Sequence, residues 1–329
     1  MAALDGAGGE AKPGTRVSAD VIVPLVLFAF FAAVPLAAAG AQAYLVSVFM
    51  RIMIFAIAAI GLDLILGYGA LISFGHAAFI GLGAYAVGIL AAQGIHDASI
   101  ALAAALAVAM LFAFLTGLVC LRTKGVYFIM ITLAFGQMAF FTAGSLAPYG
   151  GDDGLTIHMR DTVFGYPLLE NARAFYYLVL ACLAASYGLC RALIASRFGR
   201  VFRGARENPT RMAAIGFDTT RFQLVAYVVS GALGGLSGFL LANATDFVSP
   251  AYMSWQRSGD LLIMVIFGGM GRLYGAVVGA LAYLLLEERL ADYTEQWKVI
   301  IGPLLVVVVV FARGGLVGVA QKLWSWRRG

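Results

Sequence analysis

Residues 61–85 read GLDLILGYGALISFGHAAFIGLGAY, an apolar run that also holds six glycines and the polar residues Asp63, Ser73 and His76. Glycine within a helix costs roughly 0.5–1 kcal/mol relative to alanine, so repeated glycines indicate close backbone contact or a helix break. In membrane proteins such breaks occur where helices enclose a cavity. The stretch therefore predicts a broken helix in a membrane transport protein.

The composition supports a membrane location independently. Of the 329 residues, 62% are hydrophobic and 12% are charged, against roughly 45–50% and about 25% in soluble domains. A spanning helix needs about 20 apolar residues, so the chain has room for roughly eight to ten of them. The sequence thus predicts an all-α integral membrane protein that forms one membrane domain.

Ten apolar runs predict about ten transmembrane helices, some of them short or broken. The runs cover residues 20–39, 44–66, 70–92, 98–121, 125–143, 172–195, 222–243, 258–270, 273–287 and 298–312. They define a predicted permease domain over 20–312, between a disordered cytoplasmic tail at 1–19 and a basic cytoplasmic tail at 313–329. Small residues at 37–43 also allow a cleaved leader, which would remove the first helix.

The charges are placed as in a membrane protein, and they exclude nucleic acid as a partner even though the net charge is +5. Residues 196–221 hold six arginines against two acidic residues, whereas residues 144–173 hold four acidic residues against two arginines. Because Lys and Arg concentrate in cytoplasmic loops, the first segment is predicted inside and the second outside, with both termini cytoplasmic. Arg51 fits least well, and its long stem is expected to reach the interface.

Small residues in the apolar runs indicate close helix packing. Two sets of glycines recur every four residues, and each set is predicted to lie on one helix face. The sets are Gly231 with Gly235, and Gly271 with Gly275 and Gly279. The three cysteines lie in apolar runs without the spacing of metal ligands, so we predict neither a metal site nor a disulfide.

Asp63, Ser73 and His76 are the leading candidates for function, because ionisable and polar groups at membrane depth are costly and usually face a cavity or a partner. Asp63 precedes Gly67 by one helical turn, so it either caps a helix, reaches interfacial water or lines a path. Ser73 and His76 share a helix face, but this spacing rarely gives the attack geometry of a nucleophile and base. A hydrogen bond from His76 to a neighbouring helix is favoured, and a pore-lining role stays open.

A second group of polar residues follows Tyr127 on the fifth apolar run. Thr132, Gln137 and Thr142 are spaced by five and drift around a helix, so they do not form one stripe. Hydrogen bonding between helices is the favoured role for this group.

The cytoplasmic loop at 196–221 is predicted to contain a short helix. Asn208 and Pro209 mark its start, Met212 and Ile215 give it an apolar side, and Gly216 ends it. A helix this short is marginal alone in water, so we expect it to dock on something. The alternative is a basic loop lying on anionic lipid headgroups.

Four blocks of this chain resemble the membrane subunits of branched-chain amino-acid ABC importers, and LivM-like subunits in particular. They are GYGALISFGHAAFIGLGAY at 67–85, GVYFIMITLAFGQM at 125–138, RENPTRMAAIG at 206–216 and FGGMGRLYGAVVG at 267–279. The resemblance spans about residues 60–285 and implies a type II ABC importer-like permease in a bacterial inner membrane. Its expected substrate is leucine, isoleucine, valine or a related small amino acid.

The resemblance also implies roles for individual residues. Contact with an ATPase is implied for Arg206, Glu207, Asn208, Arg211, Ala213 and Gly216. A place along the translocation path is implied for Asp63, Ser73, His76, Tyr127, Thr132 and Gln137. The family often has Asn where this chain has Asp63, and a charge there leaves substrate choice open.

The energy source is expected to be another chain. The sequence has no Gly-x-x-x-x-Gly-Lys-Ser/Thr loop, so we predict a transport subunit that is not an enzyme and has no cofactor of its own. The resemblance implies two cytoplasmic ATP-binding cassette subunits that hold ATP and Mg²⁺, a periplasmic binding protein, and a second permease that is LivH-like or another copy of this chain. The alternatives are an ion-coupled secondary transporter, a passive channel, or an ABC permease for urea or short amides.

Overall fold

The structure is a computed structural model that describes residues 16–37, 43–157, 159–162, 169, 171–294, 296, 299–304, 306 and 314–318. Its helices are α1 (Arg16–Ala37), α2 (Ala43–Gly69), α3 (Ala77–Ala92), α4 (Ala98–Cys120), α5 (Val126–Gly144), α6 (Ala172–Ala195), α7 (Arg197–Glu207), α8 (Pro209–Ala214), α9 (Thr219–Thr245), α10 (Trp255–Gly268) and α11 (Leu273–Ala291). Two short strands, β1 (Leu155–Thr156) and β2 (Phe247–Val248), pair antiparallel. The predicted all-α membrane class is confirmed.

Five helices in the described part of the chain are long and apolar enough to cross a membrane, namely α2, α4, α5, α6 and α9. The α10–α11 pair passes the same test together but is bent by 115°, as in a broken span or a re-entrant loop. Two shorter apolar helices cover Ile22–Leu36 and Ala77–Ala92. The predicted count of about ten spanning helices is therefore not confirmed, and most of the predicted run at 298–312 lies outside the described residues.

Several helix boundaries follow from capping side chains. Asp97, Asn171, Asn208 and Asp218 each accept a hydrogen bond from a backbone N–H in the first turn of the helix that follows, which satisfies a donor that has no partner within the helix. The predicted helix at 172–195 is confirmed as α6. Helix α1 begins at Arg16, within the segment predicted to be disordered, and residues 1–15 lie outside the described residues.

Helix α9 lies at the centre of the bundle and packs against α2, α3 and α4. A Cβ on Gly231 would lie 2.6 Å from the Ala113 Cβ of α4, and one on Gly235 would lie 2.6 Å from the Ala109 Cβ. Ser237 also donates a hydrogen bond to the Ile54 carbonyl of α2 at 2.9 Å. Small residues and buried hydroxyl groups thus bring these helices together, as expected where no water competes.

The turn between α10 and α11 corrects one prediction about glycines. Gly271 lies outside both helices with a φ of +77°, so it does not share a helix face with Gly275 and Gly279. A Cβ on Gly275 would lie 2.7 Å from the Gly269 carbonyl, and Gly279 lies against the Met264 carbonyl. The spacing of four is real, but the chain turns at Gly271 because its backbone adopts a conformation that glycine tolerates best.

Candidate functional site

The end of α2 and the segment that follows it, residues 70–76, form a break in the bundle. Ala70 has a left-handed φ of 55°, and the Leu71 N–H donates to the Ile65 carbonyl at 3.0 Å, which is a common way to end a helix. A left-handed alanine costs roughly 1–2 kcal/mol. The predicted helix at 70–92 consequently begins at Ala77, because the preceding residues form hydrogen bonds to other helices.

Thr132 of α5 holds this break from one side. The Phe74 N–H donates to the Thr132 Oγ1 at 3.2 Å, and that hydroxyl donates to the Ile129 carbonyl at 2.9 Å. Gly75 lies against the Thr132 carbonyl so closely that a Cβ would clash with the oxygen. Thr132 is thus a buried anchor for the break.

Helices α9 and α10 hold the break from the other side. The fully buried His76 places Nε2 3.4 Å from the Ser230 Oγ of α9, and the Ser230 hydroxyl donates to the Gly61 carbonyl of α2. The Ala77 N–H donates to the Ser258 Oγ of α10 at 3.0 Å. His76 therefore lies where three helices meet the break.

Ser73 and His76 do not form a nucleophile and base in the described structure. The Ser73 hydroxyl lies beside the Tyr227 phenol of α9 without a hydrogen bond of ordinary geometry. His76 instead faces Ser230 and makes an edge-to-face contact with Phe79, with ring centroids 5.1 Å apart. The site has the character of a packed helix junction rather than a catalytic centre.

The other predicted path residues on α5 are more exposed than the buried Thr132. Tyr127 is 75% exposed at the start of α5, and Gln137 is partly exposed further along the same helix. The structure thus brings together Ser73, His76 and Thr132, but not Tyr127.

Asp63 lies nearly two turns before the end of α2 and is fully buried, not in interfacial water. Its Oδ1 accepts a hydrogen bond from the Gly271 N–H at 2.8 Å, in the turn between α10 and α11. Its Oδ2 has no hydrogen-bond partner among the described residues. Arg206 of α7 lies close enough to attract the carboxylate and donates to the Gly67 carbonyl. A buried carboxylate needs such partners, because desolvation disfavours its charge.

Helix α7 was not predicted, and it is amphipathic. Phe202 is buried and stacks on Phe198, with ring centroids 6.0 Å apart, and its ring presses against Gly69 at the end of α2. The arginines of this helix alternate with the apolar positions at helical spacing, which is the signal from which the helix was predictable. It thus attaches the α7–α8 segment to the bundle.

The short helix predicted after Asn208 is present as α8. Asn208 Oδ1 accepts from the Arg211 N–H at 2.9 Å, and Gly216 follows the helix with a φ of +91°. Six predicted coupling residues lie on or beside α8 and are exposed: Arg206, Glu207, Asn208, Arg211, Ala213 and Gly216. Ile215 is 63% exposed next to them, so this end of the bundle presents both charge and apolar surface.

The opposite end of the bundle holds a polar network that the sequence analysis missed. Arg51 of α2 lies 3.5 Å from Glu287 and 3.9 Å from Glu288 of α11, so it has acidic partners rather than only the interface that was expected. Asp260 of α10 accepts from the Tyr283 hydroxyl of α11 at 2.7 Å. The acidic residues near the end of α11 were a visible signal, but their pairing with Arg51 depends on the bend between α10 and α11.

The segment after α5 is tied to the end of α9 at the same end of the bundle. Arg160 forms a bidentate ion pair with Asp246, in which both N–O distances are 2.8 Å. The Asn243 amide donates a hydrogen bond to the Asp161 carboxylate at 3.1 Å. Strand β1 pairs with β2 beside these contacts. Burial raises the pKa of Asp161 above its ordinary range, against the Asn243 hydrogen bond that lowers it.

These features define a multi-pass membrane permease, with a buried junction between its helices and an exposed segment at one end. Residues 44–310 match the family model described as branched-chain amino acid transport system / permease component. The chain belongs to this family.

Curated relatives agree with the family match. The chain is 26% identical over 304 residues to the high-affinity branched-chain amino acid transport system permease protein LivM of Escherichia coli K12, covering 84% of this chain and 71% of the relative. It is 23% identical to BraD of Pseudomonas aeruginosa, covering 80% and 91%. It is 27% identical to a probable LivH of Methanocaldococcus jannaschii over 49% of this chain and 52% of that one. No solved structure gives a significant match.

Proposed function

We propose that this permease forms the translocation path of an ATP-driven importer for branched-chain or related small amino acids. The observation that carries the proposal is the exposed α7–α8 segment, which is fixed to α2 at its base and presents Arg211, Ala213 and Ile215 outward. A short helix of this kind is stable when a partner covers it. The partner we propose is a cytoplasmic ATPase subunit that holds ATP and Mg²⁺.

The same proposal assigns the other partners and the orientation. The six arginines of residues 196–221 favour a cytoplasmic position for α7 and α8, and both termini are proposed to lie on that side of a bacterial inner membrane. The segment with β1 and Arg160 then faces outward, where a periplasmic binding protein would deliver substrate. A LivH-like permease, or a second copy of this chain, would cover the exposed side of α5.

Substrate choice is the finer part of the proposal. The relatives' names favour leucine, isoleucine and valine, whereas urea or a short amide is the second candidate class. Uptake of radiolabelled leucine in competition with unlabelled valine, alanine or urea separates these classes. Competition by urea and not by valine would overturn the amino-acid assignment.

The coupling role of α8 is tested by changing its exposed charges. We expect Glu207→Ala and Arg211→Glu to lower ATP-driven leucine uptake at least roughly tenfold, since removing one charge of an interfacial pair, or reversing it, costs more than about 1.4 kcal/mol. Both variants should reach the membrane in normal amounts, because neither side chain is buried. Uptake in vesicles and the yield of co-purifying ATPase are the measurements.

The matched control for this experiment is Arg221→Ala. Arg221 is an exposed arginine that pairs with Asp218 at 2.8 Å at the start of α9, beyond the proposed contact surface. It should import and retain the ATPase as the unaltered protein does. Normal uptake by both α8 variants would refute the coupling assignment.

A further inference from the structure

Four residues form a contact point that we call the α2 joint: Asp63, Gly67, Arg206 and Gly271. The Asp63 carboxylate accepts from the Gly271 N–H at 2.8 Å, and the Arg206 guanidinium donates to the Gly67 carbonyl. These two contacts lie within four residues of each other on α2. The joint therefore connects α2 with both α7 and the α10–α11 turn.

The joint is closely packed around Gly67, where there is no room for a side chain. A Cβ on Gly67 would clash with the Asp63 carboxylate and lie 2.7 Å from the Gly271 Cα. Gly271 also has a φ of +77°, which glycine adopts without strain. Close-packed interiors transmit displacement rather than absorb it.

Helix α7 is fixed to the same end of α2 by a second contact. Gly69 presses against the Phe202 ring, and Phe198 connects that ring to Phe222 of α9, with ring centroids 5.4 Å apart. In addition, the Tyr68 phenol contacts the backbone of Leu273, the first residue of α11. A force applied to α7 and α8 thus acts on α2 and on the start of α11.

We propose that Asp63 is a positioning residue that transmits movement of α7 and α8 to the α10–α11 turn through Gly67 and Gly271, an inference that rests on the importer function proposed above. Asp63 acts through its hydrogen bond to Gly271 and does not contact the transported solute. The Arg206 side chain belongs to this joint rather than to the ATPase contact surface, because its guanidinium is directed to the Gly67 carbonyl.

The hydrogen bond is tested by comparing two substitutions of the same residue. Asp63→Asn keeps an acceptor oxygen for the Gly271 N–H, whereas Asp63→Ala leaves that partly buried donor without this acceptor. In hydrogen exchange of the assembled importer, we expect peptides containing residues 267–273 to exchange at least roughly fivefold faster in Asp63→Ala and at the normal rate in Asp63→Asn.

The transmission role is tested in reconstituted vesicles by uptake of radiolabelled leucine per ATP hydrolysed. Asp63→Ala should lower this ratio at least roughly fivefold and leave the half-saturating leucine concentration unchanged, and Asp63→Asn should restore it. The control is Ser237→Ala, which removes another buried hydrogen bond to α2, at Ile54, away from the joint. An unchanged ratio in Asp63→Ala overturns the inference. A higher half-saturating leucine concentration with an unchanged ratio also overturns it, because that result would place Asp63 on the solute path.

Arg206→Ala provides a second variant in case Asp63→Ala does not assemble. It should lower the same ratio while retaining the co-purified ATPase, and Arg203→Ala, whose hydrogen bonds go to the Gly199 and Ile194 carbonyls, is its control. Loss of the ATPase from Arg206→Ala would place Arg206 at the docking surface and overturn its assignment to the joint. If the unaltered protein hydrolyses no ATP during uptake, the importer function itself fails, and the transmission role fails with it.

Discussion

At the scale of single residues, buried polar side chains in this protein join helices. Ser230 donates to the Gly61 carbonyl, Ser258 accepts from the Ala77 N–H and Thr132 accepts from the Phe74 N–H. Hydrocarbon offers no water to satisfy these groups, so each needs a partner within the protein. These polar residues in apolar runs therefore mark contacts between segments of the bundle.

Asp161 gives a residue-scale prediction about pH. Burial raises its pKa, the Asn243 hydrogen bond and His96 lower it, and Asp97 raises it. The folded protein therefore holds the carboxyl proton of Asp161 more tightly than the unfolded chain, in which the pKa of an aspartate is about 3.9. Stability should fall as the pH rises from that value through the raised pKa of Asp161.

The measurement is the unfolding temperature of the purified protein in detergent across this pH range. Asp161→Asn should flatten the dependence and raise the unfolding temperature at neutral pH, because it removes a buried charge and keeps an acceptor for Asn243. Asp153→Asn is the control, since Asp153 is exposed in the same segment. Identical pH profiles for Asp161→Asn and the unaltered protein would contradict the prediction.

At the scale of secondary-structure elements, the contact between α3 and α9 depends on the absence of side chains. Gly83 of α3 lies against the Gly235 backbone, and Gly238 of α9 lies against the Ile80 carbonyl. Backbones at this separation gain dispersion energy along the whole contact. The glycines at 231 and 235 were predicted to pack, whereas Gly83 and Gly238 have partners that their own spacing does not reveal.

Gly238→Ala tests this contact. Its Cβ would clash with the Ile80 carbonyl and lie 2.8 Å from the Ala84 nitrogen, so we expect a loss of about 1–3 kcal/mol in stability. Reaction of the buried Cys120 and Cys190 thiols with a fluorescent maleimide during heating reports the unfolding. Gly188→Ala on α6 is the control, because no atom lies within 4 Å of its Cβ position and alanine favours a helix. Equal unfolding temperatures for the two variants would refute the packing argument.

At the scale of the whole molecule, contacts at both ends hold the same helices. The α2 joint connects α2, α7 and the α10–α11 turn, while the Arg51 network connects α2 with α11 at the opposite end. Helix α11 is thus tied to α2 at both of its ends.

The orientation of the molecule gives a prediction at this scale. In a background with Cys120, Cys182 and Cys190 replaced by serine, Asp153→Cys should react with a membrane-impermeant maleimide in intact cells. Thr220→Cys should react only after the inner membrane is opened, because α6 separates the two positions. Both positions are exposed, so accessibility in the fold does not bias the result. The reverse pattern would contradict cytoplasmic placement of α7 and α8.

The sequence by itself determined the features that depend on local chemistry. Apolar composition determined the membrane class. An apolar run located α6, and a capping residue with apolar positions at helical spacing located α8. The four blocks at residues 67–85, 125–138, 206–216 and 267–279 indicated the family. Each of these signals is carried by residues close together in the chain, so no tertiary contact is needed to interpret it.

Only the tertiary structure decided which distant residues meet. Asp63 and Gly271 are 208 positions apart, and Arg51 and Glu287 meet because the chain bends by 115° between α10 and α11. Tertiary contacts also set the start of α3 at Ala77, since the Thr132 and Ser258 hydroxyls accept hydrogen bonds from the backbone N–H groups of Phe74 and Ala77. The physical reason is that a buried donor, acceptor or charge must find a partner, and the packing of helices determines which partner is within reach.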